Sequence, residues 1–294
     1  MERTRRRWGE PATAAWHHAG VTETAERYDR IAAGYDRWWA PVLAPSAVAL
    51  LDRLDGVVAD GARSVLDVGV GTGNLSIAAL RRWPDVQITA IDASREMIGA
   101  VEALVAERVP ASRDRFEGRV AFAAELPFED RTFDAAMSSF VLQLVPSRPA
   151  ALRDIRRVLR PGGLFAHVTW LVDDRAFAPD RIFDLLLEEY GFENDDDPNR
   201  KGDIPSAERA AGEMRSAGFR DVVAHQGLLE HTYTVDGFIS FLTEYHEESL
   251  FAEMDKAERR RFLQQFRERL MALSADELAF RVPIVYASGR RSDG

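Results

Sequence analysis

The feature that most constrains this chain is the stretch VLDVGVGTGNLS at 65–76, an apolar run of β type followed by glycines on alternate positions and then by a helical pattern. Glycine is needed where backbone turns through conformations closed to other residues, or where a ligand must approach the chain with no Cβ in the way. The exposed N–H groups of the helix that follows favour a negatively charged group. The spacing is D-x-G-x-G-x-G through Asp67, Gly69, Gly71 and Gly73. A nicotinamide fingerprint would need G-x-G-x-x-G, and Asn74 stands where its third glycine belongs. A phosphate P-loop is excluded as well, because no Gly-Lys-Ser/Thr follows. The next apolar run ends in AIDAS, so that Asp92 stands about twenty residues beyond the glycines, where a carboxylate can accept from both hydroxyls of a ribose. Ser94 then caps a helix. These residues suit an adenosine with a ribose and no pyrophosphate, with the ligand's carboxylate at the helix start.

Around this loop, short apolar runs alternate with amphipathic segments, the signature of a parallel α/β sheet. The pattern predicts strands near 65–69, 87–92, 119–122, 133–138 and 163–170. Leu75, Ala78, Ala79 and Leu80 mark one intervening helix; Met97, Val101, Leu104 and Val105 mark a second; Leu152, Ile155, Val158 and Leu159 mark a third. The third should stop at Arg160, because Pro161, Gly162 and Gly163 cannot continue it. Residues 22–39 and 41–54 read as two N-terminal helices. Beyond Trp170 a helix is expected at 178–190, an acidic loop ENDDDPNR at 193–200, a helix at 206–217, a strand at 219–225 and a helical region at 235–277. Asp255 and Glu258 in that region have capping-box spacing. The closing run FRVPIVYASGRR reads as a strand, with Pro283 pointing to an edge position or a bulge.

Composition narrows the classes. Of 294 residues, 46% are hydrophobic and 29% charged, an ordinary globular balance. With no cysteine there is no disulfide, thiolate nucleophile or Cys-ligated metal site. The net charge of −10 argues against a general nucleic-acid binder, whose affinity comes largely from cations neutralising phosphates. No apolar run is long enough to span a bilayer, and the basic start MERTRRRWGE leads into no apolar segment, so a soluble cytoplasmic protein is the expectation. No His/Asp/Glu cluster shows ligand spacing, so no metal is expected, and Asp195, Asp196 and Asp197 read as a solvated loop. His17 and His18 read as tail residues.

Taken with the segments AAELPFEDRTFDAAMSSFVLQLV at 123–145, LRDIRRVLRPGGLF at 152–165 and YDRIAAGYDRW at 28–38, the glycine motif and AIDAS give a specific pattern. The chain resembles a class I S-adenosylmethionine-dependent methyltransferase of the small-molecule branch, which includes ubiquinone/menaquinone C-methyltransferases and natural-product methyltransferases. The match is good over residues 25–172. The resemblance implies a doubly wound, Rossmann-like, seven-stranded, mostly parallel sheet with an antiparallel last strand. It divides the chain into a flexible tail (1–20), N-terminal helices forming a lid (21–60), a cofactor-binding core (61–172), an inserted helical cap for substrate (173–218 and 226–278) and the last strands of the core sheet (219–225 and 279–291).

Carried over residue by residue, the resemblance implies S-adenosyl-L-methionine as cofactor. Asp67, Gly69, Gly71 and Gly73 would surround its methionine moiety, Asp92 its ribose, and Ala93 and Met97 its adenine. Ala124, Glu125 and Leu126 fall where relatives contact the base edge, and Ser139 and Phe140 beside the sulfonium. Tyr28 and Tyr35 read either as contacts to the cofactor's carboxylate or as core aromatics. Relatives often carry an acidic residue where this chain has Phe122, and His where it has Gln143. No catalytic base stands out among His167, His225, His231, His246 and Gln143, and His167 reads as a core residue in mid-strand. The implied partner is a small-molecule methyl acceptor. A nucleic-acid substrate is disfavoured by the charge and by SSFV at 138–141, where a D/N-P-P-Y/F tetrad would stand. A homo-oligomer is left open. Two other readings remain: a module that binds the cofactor without catalysis, and a nucleotide-dependent oxidoreductase, which the missing third glycine disfavours.

Overall fold

The computed structural model describes residues 6–7, 34–193 and 202–292; Tyr28, His17, His18 and the Asp195–Asp197 run lie outside them. The described residues divide into two compact units. A sheet unit contains 34–172, 202–228 and 283–292, and a helical unit contains 6–7, 173–193 and 229–282; the boundary falls within two long strands.

The sheet has seven strands: β1 (Ser64–Val68), β2 (Gln87–Asp92), β3 (Phe116–Val120), β4 (Phe133–Ser139), β5 (Leu159–Trp170), β6 (Phe219–Thr232) and β7 (Ala279–Arg291). Their order is β3-β2-β1-β4-β5-β7-β6. The pairs β1–β2, β1–β4, β2–β3 and β4–β5 are parallel, and β7 lies antiparallel to β5, with His167 opposite Ala287. The fold is therefore the seven-stranded, mostly parallel sheet that the sequence led us to expect. Central strands buried on both faces need unbroken apolar runs, and β1 supplies one: Val65, Leu66 and Val68 are all fully covered.

Helices connect the parallel strands. A π-helical turn (Tyr35–Trp39) leads into α1 (Ala40–Leu50), with Pro41 in the first turn where no N–H is needed. A short α2 (Asp55–Ala59) precedes β1. Next come α3 (Asn74–Arg82) and α4 (Arg95–Arg108), the latter capped by Ser94, whose hydroxyl accepts from the Met97 N–H at 3.0 Å. Then α5 (Arg148–Val158) is capped by Ser147, and α7 (Ala207–Ser216) by Ser206. The core beneath α5 and α7 joins Ile155, Val158, Phe165, Met214 and Phe219. That packing explains why 202–218, which the sequence groups with the cap, falls in the sheet unit.

The helical unit consists of α6 (Ala178–Glu189), α8 (Val235–Phe241), a π-helical turn (Leu242–His246), α9 (Glu248–Glu253) and α10 (Lys256–Met271). Its centre is aromatic: the Phe183 ring lies 5.5–6.1 Å from those of Phe251, Phe262 and Phe266. Asp255 caps α10 by accepting from the Ala257 and Glu258 N–H groups at 2.8 Å. Arg6–Arg7 pairs in parallel with Phe192–Glu193, a two-residue ladder that the unpatterned N-terminal sequence does not announce.

Three expectations need correction. The third apolar run forms β3 at 116–120, not 119–122, because Phe116 is the buried residue while Val120 and Phe122 are exposed. The helix before Pro161 ends at Val158, and Leu159 already pairs with Phe133; the Pro-Gly-Gly run sits in a register shift inside β5. Finally, β7 is an interior strand with β6 outside it. Pro283 is tolerated where its carbonyl accepts from the Leu171 N–H at 3.0 Å.

Where α5 gives way to β5, the Arg291 guanidinium donates to the carbonyls of Arg156 (3.1 Å), Arg157 (2.5 Å) and Leu159 (2.5 Å). It thus satisfies carbonyls that the helix end leaves open. Replacing it by an apolar side chain of similar length leaves the Arg157 carbonyl with the Arg131 N–H alone and removes the charged donor from all three, and Arg291→Met should lower stability by about 1.5–3 kcal/mol. Urea denaturation checks this: an unchanged midpoint would mean that water satisfies the helix end equally well.

Candidate functional site

A cavity lies in the sheet unit, where the loops after β1, β2 and β4 converge. Loops at the carboxyl ends of parallel strands are where open α/β sheets bind ligands. The first of these loops is the glycine motif. Gly69, Gly71 and Gly73 all have positive φ (74°, 52° and 91°). Two of them also lack room for a side chain: a Cβ on Gly69 would lie 2.3 Å from a Val141 methyl, and one on Gly73 2.4 Å from a Val101 methyl. Gly71 instead faces Tyr35, whose ring would stand 3.8 Å from an added Cβ, leaving its backbone open to the cavity.

Asp92 ends β2 with its carboxylate held between two loops. One oxygen accepts from the Gly71 N–H at 2.9 Å and the other from the Ser94 N–H at 3.0 Å. Beside it, Ile91, Ala93, Ala121 and Phe122 offer an apolar slot. The opposite wall is the turn after β4, residues 139–146, joined by Leu43 of α1.

Of the residues assigned by resemblance, Tyr35, Gly69, Gly71, Asp92, Ala93, Ala124, Ser139 and Phe140 all line this cavity. The others lie off its lining. Asp67 is fully buried, and its carboxylate accepts from the Ser76 hydroxyl at 2.6 Å. Gly73 faces Val101. Met97 is buried beneath α4. Leu126 belongs to the core, with its N–H on Asp154, and Glu125 is at the surface. Leu43 and the 144–146 turn carried no sequence signal, since nothing in their own pattern reports a tertiary neighbour. Phe122 could have been found, as the apolar residue standing where relatives place an acid.

The candidate bases sort by environment. His167 is buried on β5, stacked on Phe165 at 5.5 Å; burial and the nearby Arg148 charge push its pKa down to about 3, which makes it a poor proton acceptor. Gln143 is buried, with both ends of its amide hydrogen-bonded inside the protein. His225 lies in a shallow groove with Arg53, 2.9 Å away, and Tyr286, outside the cavity lining. His231 and His246 belong to the helical unit, where His231 meets Tyr233 edge to face at 4.5 Å and His246 stacks on Phe241 at 5.3 Å. Among the described residues lining the cavity, Tyr35 and Asp92 are the titratable ones. No group of three or more His, Asp or Glu among the described residues could hold a metal ion.

Burial, with the Asp92 charge adding to it, raises the Asp67 pKa from 3.8 to about 7 against the Ser76 hydrogen bond. A carboxyl whose pKa is higher folded than unfolded contributes stability that is complete below its unfolded pKa and is lost as pH rises through its folded one. Asp67→Asn should therefore gain stability relative to the wild type between pH 3.8 and about 7, by up to roughly 1.4 kcal/mol per pH unit. Paired urea melts across that range test it, and a constant difference would show that the carboxyl titrates normally.

Comparison with known proteins bears on this site. Residues 65–163 match a family described as a methyltransferase domain, a span that holds the glycine loop, Asp92 and the turn after β4. A malonyl-[acyl-carrier protein] O-methyltransferase of Xylella fastidiosa is 29% identical over 63% of this chain and 57% of its own length. A ubiquinone/menaquinone biosynthesis C-methyltransferase UbiE of Paracoccus denitrificans is 31% identical over 60% of this chain and 65% of its own. The chain thus spans less than two thirds of the length of these relatives. Among solved structures, a Haemonchus contortus phosphoethanolamine N-methyltransferase 2, in complex with phosphomonomethylethanolamine and S-adenosylhomocysteine, superposes with a TM-score of 0.57 at 17% identity, over 93% of this chain and 60% of that one. It shares the fold.

Proposed function

We propose, on the premise that residues 65–163 are a methyltransferase domain, that this chain transfers a methyl group from S-adenosylmethionine to a small-molecule acceptor. The observation that carries the reading is the Asp92 carboxylate, fixed between the Gly71 and Ser94 N–H groups on the rim of a cavity that the glycine loop leaves open. The residues present fit the cofactor. Gly71 presents backbone with positive φ to the cavity, Asp92 offers a carboxylate to ribose hydroxyls, and the slot between Ile91 and Phe122 is apolar enough for a purine face. The same carboxylate favours a ligand that carries positive charge.

S-adenosylmethionine supplies a methyl already activated by a sulfonium charge, so the protein's task is to align and enclose the reacting groups. Phe140, Val141, Leu144, Val145 and Pro146 form an apolar wall that excludes water. Among the described residues that line the cavity there is no histidine, and the reading does not depend on a base from them.

Thermal melting tests the reading. S-adenosylhomocysteine at about 100 times its dissociation constant should add roughly 2.7 kcal/mol, a clear upward shift in Tm, and NADH should add none. Asp92→Ala should cost about 1.5–3 kcal/mol of S-adenosylhomocysteine affinity by calorimetry. A shift with NADH alone, or full affinity in a folded Asp92→Ala variant, would sink the proposal.

A further inference from the structure

The turn after β4 holds a strained residue and, behind it, a buried amide. Phe140 has φ of 56°, a region that disfavours bulky side chains, so its neighbours must impose the conformation. Its ring lies 4.5 Å from that of Trp170, and its N–H donates to the Val168 carbonyl at 2.8 Å. The Phe140 carbonyl accepts from Gln143 Nε2 at 2.6 Å, and Gln143 Oε1 accepts from Thr169 Oγ1 at 2.5 Å. Gln143 is 7% exposed and Thr169 is fully buried.

A second stretch of chain packs against the backbone of Gln143. A Cβ on Gly202 would lie 2.1 Å from the backbone carbonyl oxygen of Gln143 and 3.2 Å from its Cβ. That segment is itself fixed: the Gly202 carbonyl accepts from Arg148 at 2.7 Å, the Ile204 N–H donates to the Trp170 carbonyl, and the Ile204 carbonyl accepts from the Val172 N–H. Gln143 therefore links the strained residue to β5 through hydrogen bonds closed to water, and hydrogen bonds so enclosed have no solvent substitute.

We propose that Gln143, with Thr169, is a positioning residue: the chain Thr169–Gln143–Phe140 holds the turn at 139–146 in the shape that forms the cavity wall. Gln143 acts through Phe140 and touches no ligand itself. The affinity test rests on the methyl-transfer reading, since it uses that reaction's demethylated product as probe; the structural test does not.

Both tests use the full chain. Gln143→Met keeps the volume and removes both hydrogen bonds, Thr169→Val removes the far one without changing shape, and Thr169→Ser keeps it. By calorimetry, Gln143→Met and Thr169→Val should each raise the dissociation constant of S-adenosylhomocysteine by about 3- to 10-fold, the size of a net hydrogen bond. Thr169→Ser should stay within about twofold, and the double variant should be no weaker than Gln143→Met, as expected of groups acting in series. In the ligand-free protein, amides at 139–146 should exchange faster in Gln143→Met and Thr169→Val while those of β1 are unchanged. An unaltered affinity, a Thr169→Ser variant as weak as Thr169→Val, or losses that multiply in the double variant would overturn the proposal. If Gln143→Met does not fold, the two Thr169 variants decide. If the wild type binds no S-adenosylhomocysteine, the proposed function fails, and amide exchange alone decides: local acceleration supports the link and unchanged exchange refutes it.

Discussion

The site depends on one carboxylate that joins two loops. Asp92 stands at the end of β2, yet one of its oxygens is bound to Gly71 in the loop after β1 and the other to Ser94 at the start of α4. Hydrogen bonds to a charged acceptor are worth roughly twice neutral ones, so this side chain fixes the distance between the glycine loop and the next helix. Sterics hold the loop from two further sides, with Val141 against Gly69 and Val101 against Gly73. Side chains at those two positions would have to displace β-branched neighbours, whereas Gly71 is where the loop is open. Held in these ways, the loop lines the cavity through Gly69, Val70, Gly71 and Thr72.

Charge in the sheet unit is arranged to the same end. Asp67 and His167 are buried so thoroughly that desolvation favours their neutral forms, driving one pKa up to about 7 and the other down to about 3. Asp92, half-buried with two N–H donors on its oxygens, is the carboxylate that reaches the cavity. A cationic ligand there meets one oriented negative group rather than a diffuse acidic surface, although the chain as a whole carries a net charge of −10.

What could be read from sequence followed from local rules. The glycine spacing and the caps at Ser94 and Asp255 are set by residues within a turn or two of one another, and each stands where its pattern put it. Errors arose where a distant partner decided the outcome. Phe116 rather than Val120 anchors β3 because burial in the assembled sheet, not alternation, fixes which residues count as strand. Leu159 leaves the helical register because it pairs with Phe133. Pro283 sits in an interior strand because its neighbour there uses its carbonyl. The far wall of the cavity was least legible: Leu43 reaches it from α1, about a hundred residues before the 144–146 turn, and no periodicity in either segment reports the other.

Phe140 shows how strain and site coincide. Among the described residues, Arg131, Phe140 and Asp221 are the non-glycine residues with positive φ, and of these Phe140 alone lines the cavity. Such a conformation costs on the order of 1–3 kcal/mol. An aromatic pair contributes about 0.5–1.5 kcal/mol, and each net hydrogen bond a similar amount. The contact with Trp170, the N–H bond to Val168 and the carbonyl bond from Gln143 are therefore together comparable to the cost. A glycine at 140 would adopt the same backbone without strain but would leave the cavity without its aromatic wall, so the chain keeps the ring at the expense of local strain and holds it in place through its neighbours.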